Sequence, residues 1–378
     1  MNKLLQRFPV LKDLRLWAVL FFVVTVAASL HRYYLGNINN FEIFRYSFLN
    51  LLDGVDLYTL HPAQHEDLFK YSPTFALFMA PFSFLPVGLG IVLWNLLNVF
   101  VLFFAVKRLQ LSGEKKLLIL LFCFIELLTS IQSSQSNGLM AGLMIMAFAM
   151  MEEKRPWMAA LLICFGFYIK IFAVVVAVLF LFYEKKGQFI LAMIAWGILF
   201  AVLPALVSGI DGLIMQYESW LNLLANDPAH ELNYSVMTVV QRWSGLEISD
   251  IYYLVPGVIL LLLPFLRKNT YRDPAFRMLM LASVLIWVVI FNHKAESPTY
   301  AIAMCGAGIW LVLQEKTKWT IAFAVFVFVF TGLIATDLFP ASWRSDFFRP
   351  YAIKAVPCIL LWLYVQYLLL TVRTKENT

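Results

Sequence analysis

An all-α bundle of membrane-crossing helices is the fold class this sequence predicts, and three observations carry it. Of 378 residues, 62% are apolar and 14% charged, where a soluble domain carries roughly a quarter charged residues. Apolar runs of about 17 to 22 residues recur along the chain, the length a helix needs to cross a bilayer. Between them, short connectors alternate between rich and poor in Lys and Arg, as the retention of positive loops in the cytoplasm dictates. Those loops account for the net charge of +6, and no nucleic-acid partner is implied. The expectation is a single integral membrane domain over residues 1–378 with about eleven to thirteen spans.

The first span is expected at about Leu14 to Leu30. Lys3, Arg7, Lys12 and Arg15 precede it, which places the N-terminus in the cytoplasm and the next loop outside. Ala27, Ala28 and Ser29 make a weak cleavage site, so the run reads as a retained anchor in the inner or plasma membrane. Residues 31–72 then form a first outer loop, and the polar stretch Asn39 to Pro81 is long for a mere connector. It holds Glu42, Asp53, Asp56, Glu66 and Asp67. Phe41, Phe44, Phe48, Leu49 and Leu52 recur there at helical spacing while Arg45, Asn50 and Asp53 take other faces. That pattern predicts an amphipathic helix along the membrane surface.

Ser72 to Val106 reads as two apolar segments hinged at Pro86, although the flanking charges require an odd number of crossings. The segment between Pro73 and Pro86 is short for a span, which favours a re-entrant or broken helix. Beyond it, basic connectors hold Lys107, Arg108, Lys115 and Lys116; Lys154 and Arg155; Lys185 and Lys186; Arg267, Lys268 and Arg272; Lys316 and Lys318; and Arg373 and Lys375. Connectors poorer in cations alternate with them: 130–137, Lys170 alone, a second outer loop at 210–248, 292–297 and 337–350. Leu213 to Leu224 predicts another surface helix. Cys123, Cys164, Cys305 and Cys358 all fall in apolar runs and read as packing residues.

Ionisable groups in apolar spans are costly to place there and tend to be functional. Lys170, between GFYI and IFAVV, falls at the outer end of a span, where an ammonium can hold a phosphate as a point charge or simply snorkel to the interface. Glu126, in FCFIELLTS, is expected to be protonated or paired with a hydroxyl. Gln135 and Asn137, in SSQSNG, begin a span at the same face as Lys170. Their amides can orient a sugar or phosphate, or Asn137 can cap the helix. His293, Lys294 and Glu296 form a third outer cluster, and Asn233, Ser235 and Gln241 complete a set of polar groups on one side of the membrane. For Arg344 and Arg349, contact with lipid headgroups is the default reading.

These pieces fit one chemistry. In transfer of a sugar from a lipid phosphate to a hydroxyl, the leaving group is already a stable anion and needs no general acid. What remains is one carboxylate to take the acceptor proton and cations to hold the phosphate. The first loop has no Asp-x-Asp, only Asp53 with Asp56 and Glu66 with Asp67, so no metal or other cofactor is expected.

The order of motifs here resembles the GT-C glycosyltransferases, and most closely glycosyltransferase family 87. The resemblance runs through Asn40, Phe41 and Phe44, then Gly54 and Tyr58, then Tyr71, Pro73, Pro81, Leu85 and Pro86. Trp94 follows, then Gln135 with Asn137, and Lys170 as a span-ending lysine; the likeness covers roughly residues 14 to 300. It implies a GT-C fold and transfer of a hexose, mannose in that family, from a polyprenyl-phosphate donor to a glycan or glycolipid acceptor. The family's catalytic aspartate falls on Asn40, which is no base at neutral pH. Glu42 is the nearest carboxylate and would replace it if the backbone were extended there. Asp56 and Asp53 rank behind it as catalytic candidates. Lys170 and His293 would bind the donor phosphate, while Asn40, Tyr58, Tyr71, Gln135, Asn137, Asn233 and Glu296 would contact substrate. The alternative is a secondary transporter or lipid carrier with Glu126 and Lys170 as intramembrane polar residues, or a scaffold without catalysis.

Overall fold

The computed structural model describes residues 12–226 and 233–371. Lys3, Arg7, Arg373 and Lys375 lie outside these. Among the described residues every regular element is helical, and the architecture is an all-α polytopic helix bundle. By packing, the chain divides into two compact units. The first comprises Met1–Arg108, Ser130–Val174 and Lys185–Pro228, the second Leu109–Thr129, Val175–Glu184 and Ala229–Thr378.

The first unit begins with Leu14–Tyr34, a helix of 21 residues capped by Asp13, whose Oδ1 accepts from Arg15 N at 2.8 Å. Its length and apolarity suffice to cross a membrane. Asn39–Leu52 follows as the amphipathic helix, burying Phe41, Ile43, Phe44, Phe48 and Leu51 on one side. After the first loop the chain forms two short helices, Pro73–Phe78 and Ala80–Ser83, of six and four residues. Ser72 caps the first of them, with a proline at its start. At 1.5 Å rise per residue neither can cross about 30 Å of hydrocarbon, so Pro73 to Pro86 is a broken helix. Val87–Arg108, with 22 residues, supplies the long apolar helix after it. It packs closely on Asn137–Glu152 because of Gly142: a Cβ there would lie 2.7 Å from Leu102 N, a contact no side chain tolerates.

Lys186–Val202 and Ala205–Asn226 complete the unit, bent by 88° at their junction. A kink at Gly209 lies within the second helix, which contains the expected surface segment Leu213 to Leu224.

In the second unit, Pro274–Ile290 and Tyr300–Leu313 form a tightly packed pair, where Gly306 faces Ala282 O. Val356–Thr371 packs beside them, with Trp362 Nε1 donating to Ser283 Oγ at 3.1 Å. The four cysteines are free and buried.

Among the described residues, three helices are long and apolar enough to span, Leu14–Tyr34, Val87–Arg108 and Ile353–Thr371, or four where the bent pair is taken as one span. The other apolar runs are divided among helices of 10–17 residues. Two of the breaks share a form: an α-helix passes into a different helical winding within one apolar run. Pro156–Ile169 gives way at Lys170 to the 3-10 helix Ile171–Phe182, and Lys318–Val327 passes into the π-helix Phe328–Leu333. Hydropathy does not register such breaks, because the residues on both sides remain apolar.

Candidate active site

The first loop is fixed by its own polar side chains. Asn50 and Gln64 exchange amide hydrogen bonds of 2.8 and 3.1 Å, and Asn39 Oδ1 accepts from Glu66 N at 2.8 Å. Tyr58 is buried, and its hydroxyl donates to Tyr71 O at 2.9 Å. Burial raises its phenol well above the ordinary value, so it serves as a donor and not as a base. Asp56 closes the turn before it: Oδ1 accepts from Tyr58 N and Oδ2 from Ser219 Oγ, both at 2.9 Å. Both carboxylate oxygens are therefore engaged in holding the loop. Asp53 is exposed where the amphipathic helix ends.

Asn39–Leu52 is regular helix. The extended backbone that would let Glu42 stand in for residue 40 is thus absent, and the two side chains leave the helix about 200° apart. Asn40 Nδ2 donates to Ser133 O at 2.8 Å. Glu42 is half-buried among different neighbours. Burial raises its carboxyl above the ordinary value, Arg45 draws it partly back, and Glu66 adds to the rise. Glu42 is the carboxylate of this helix whose environment moves it toward the range of a general base.

Residues 133–137 form the second part of the site. The turn is strained at Ser134, with φ of 50°, and polar groups of the long helix below hold it there. Trp94 Nε1 donates to Ser134 O at 2.8 Å, Asn95 Nδ2 to Ile131 O at 3.2 Å, and Asn98 Oδ1 accepts from Leu139 N at 2.9 Å. Asn137 begins its helix with Ser136 as the capping position, so its side chain is spent elsewhere. Asn137 Oδ1 accepts from Lys170 Nζ at 2.8 Å, and Asn137 Nδ2 donates to Gln135 Oε1 at 2.7 Å. Lys170 itself ends Pro156–Ile169, in extended conformation, where a cation complements the helix dipole. Its ammonium stands 6.0 Å from the centres of both the Tyr71 and Phe172 rings. The buried hydroxyls of Ser130, Ser134 and Ser136 have no protein partner, which leaves this turn with hydrogen-bonding capacity to spare.

Within the first unit, then, Asn40, Tyr71, Gln135, Asn137 and Lys170 are joined through the 133–137 turn, and Tyr58 and Asp56 through the loop that carries Tyr71. In the second unit, Tyr234 N donates to Ala295 O at 2.8 Å, which sets the Asn233 segment beside the His293–Glu296 turn. Asn233 is buried, Glu296 half-buried and His293 exposed. Among the described residues, no group of three His, Cys, Asp or Glu is placed to hold a metal ion.

Glu126 corrects an expectation. Its partner is not a hydroxyl but the ammonium of Lys354, 2.6 Å away. Sequence reasoning missed Lys354, which in RPYAIKAVP reads as an ordinary cation before a span. The signal available was that an apolar run holding a glutamate needs a counter-charge somewhere in the bundle.

The sequence model of glycosyltransferase family 87 matches residues 69–291, more than half of the chain. Tyr71, Gln135, Asn137, Lys170 and Asn233 lie inside the match; the amphipathic helix with Asn40 and Glu42 precedes it, and His293 and Glu296 follow it. No curated protein matches the chain.

Proposed function

The chain belongs to glycosyltransferase family 87, and from that premise we propose that it moves a hexose, mannose in the first instance, from a polyprenyl phosphate to a hydroxyl of a glycan or glycolipid. As a member of that family built from membrane helices, it is a membrane glycosyltransferase. The alternation of cationic connectors favours a cytoplasmic N-terminus and a reaction on the outer face. A GT-C arrangement accords with the all-helical bundle.

The observation that carries this reading is the relay from Lys170 through Asn137 to Gln135. An ammonium oriented by an amide and flanked by two aromatic rings suits a phosphate attached to a lipid chain. In the proposed reaction the bond between the anomeric carbon and the phosphate oxygen breaks, and polyprenyl phosphate leaves with the electron pair. The acceptor oxygen bonds to the anomeric carbon from the opposite side, inverting it, and its proton passes to a carboxylate. Lys170 steadies the charge on the departing phosphate. With Asp56 committed to the turn and Asp53 exposed at a helix end, Glu42 is the proposed base, acting from its own face of the helix and not in the place of residue 40. Asn40, Tyr58 and Tyr71 would frame the sugar. For His293 the proposal is contact with the donor phosphate, and for Asn233 and Glu296 contact with substrate.

The test is incubation of the purified protein with a series of polyprenyl-phosphate sugars and an acceptor extract, following release of polyprenyl phosphate. Release that depends on one sugar and on Lys170 is the expected result. No release with any of them, from folded protein, would overturn the donor assignment.

A further inference from the structure

Residues 341–351 form a short two-sided segment in the second unit, α-helical at Ala341–Trp343 and π-helical at Arg344–Phe348. Trp343, Phe347 and Tyr351 recur every four residues along it. They are 56%, 52% and 44% exposed, and the rings of Phe347 and Tyr351 lie 5.4 Å apart. Four-residue spacing puts them in one stripe, and exposed Trp and Tyr of this kind mark the headgroup level of a membrane. Arg344, Phe348 and Arg349, on the other side, line a pocket together with Tyr234, Ile334 and Lys354.

Three cations face this pocket, and their counter-charges are unequal. Lys354 is matched by Glu126 within the protein. Arg344 Nη1 meets Asp337 Oδ1 at 2.8 Å, but Asp337 is 95% exposed, so water screens most of that pairing. Arg349 has no ion pair among the described residues. In addition, Arg344 Nε is buried without a hydrogen-bond partner. A positive charge in excess and a buried N–H donor left over are the two features an anion would satisfy.

We propose that this pocket binds the phosphate of a membrane lipid, with the guanidinium groups of Arg344 and Arg349 on the phosphate oxygens and the aromatic stripe holding the segment at headgroup depth. Guanidinium forks match tetrahedral oxyanions better than an ammonium does. Phe348 and Ile334 give the pocket an apolar wall against which the start of a lipid chain can lie. The stripe is what distinguishes a lipid from a dissolved anion as the occupant. This site stands apart from the sugar-transfer reading and is measurable in its absence.

The experiment is native mass spectrometry of the detergent-purified full chain titrated with phosphatidylglycerol, diacylglycerol being the phosphate-free control and inorganic phosphate the competitor. Binding of phosphatidylglycerol without binding of diacylglycerol is the expected result. Arg349→Ala, at an exposed side chain, should weaken that binding about tenfold, the worth of one charge-assisted hydrogen bond. Arg349→Lys should fall between. Trp343→Ala should weaken the lipid and leave any inorganic phosphate binding unchanged. Equal lipid binding by the native chain and Arg349→Ala, both with native melting temperatures, would overturn the proposal. Inorganic phosphate displacing the lipid at comparable concentration would overturn its lipid component.

Discussion

The ammonium of Lys354 meets the carboxylate of Glu126 at 2.6 Å, with 2% and 1% of the two side chains exposed. They are separated by 228 positions in sequence. The Lys354 ammonium also stands 5.6 Å from the ring centre of Tyr300, and Thr331 Oγ1 donates to Lys354 O at 3.1 Å. Two opposite charges are thus enclosed by apolar helices and fixed from several directions. Each makes the burial of the other tolerable.

A first prediction concerns stability. Removing one member, by Glu126→Leu or Lys354→Met, leaves an uncompensated charge inside and should destabilise the fold by about 3–5 kcal/mol. Replacing both together should restore most of the loss, since an apolar pair of similar volume often serves as well. Thermal or denaturant unfolding of the four proteins in detergent measures the coupling directly.

Glu42 gives the second, and its sign can be worked out. Burial holds this carboxyl above its ordinary value of 4.5, against the opposing effect of Arg45. The native state therefore takes up the proton more readily than the unfolded chain. Its contribution to stability is present below pH 4.5 and is lost as the pH rises through the raised native value. Glu42→Gln should consequently be at least as stable as the native protein at neutral pH. Transfer, in contrast, should fall by about 10²–10⁴-fold if Glu42 takes the acceptor proton. Native transfer should also decline on acidification with a midpoint above 4.5, and that limb should vanish in the variant. Native rates in the Glu42→Gln enzyme would refute the assignment.

Lys170→Met should reduce kcat/KM for the lipid donor by about ten- to a hundredfold, the range of a hydrogen bond to a charged group. Because Lys170 is half-buried at a helix end, the melting temperature should change little. Asn137→Leu should lower activity as much by releasing the ammonium from its 2.8 Å bond, and it should also loosen Gln135. Donor kinetics with the two variants separate positioning from charge: only Lys170→Met alters the salt dependence of donor binding.

Asn40→Asp tests the position where the family resemblance places an aspartate. The amide N–H of Asn40 now donates to Ser133 O at 2.8 Å. An aspartate would set an acceptor against that carbonyl, and about 1–3 kcal/mol of stability should be lost. If residue 40 still faces the reacting hydroxyl, transfer by the variant should rise despite the lost stability. A parallel melting curve and transfer assay decide it.

The helical class, the amphipathic helix at 39–52 and the broken segment at Pro73 to Pro86 are legible in the sequence because each rests on local pattern: composition, helical periodicity and proline spacing. Lys170 ending a helix is legible for the same reason. What escapes depends on contacts between distant segments. Nothing near Glu126 names Lys354, and nothing in SSQSNG tells that Asn137 receives the lysine ammonium while Ser136 takes the capping position. The changes of helical winding at Lys170 and Phe328 escape too, since hydropathy is the same on either side of them. Asp56 illustrates the limit for the site: its acidity makes it a candidate base, yet its oxygens are taken by Tyr58 and Ser219.

Gln216 reaches from Ala205–Asn226 to the first loop with both ends of its amide, donating to Val55 O at 2.7 Å and accepting from Leu57 N at 3.1 Å. Ser219 adds its bond to Asp56 one turn later. Two stretches separated by 161 positions are thereby spliced into one structural piece. A chimera that imports residues 53–58 from a relative must import the matching side chains at 216 and 219 as well, or the graft will arrive without its clasp.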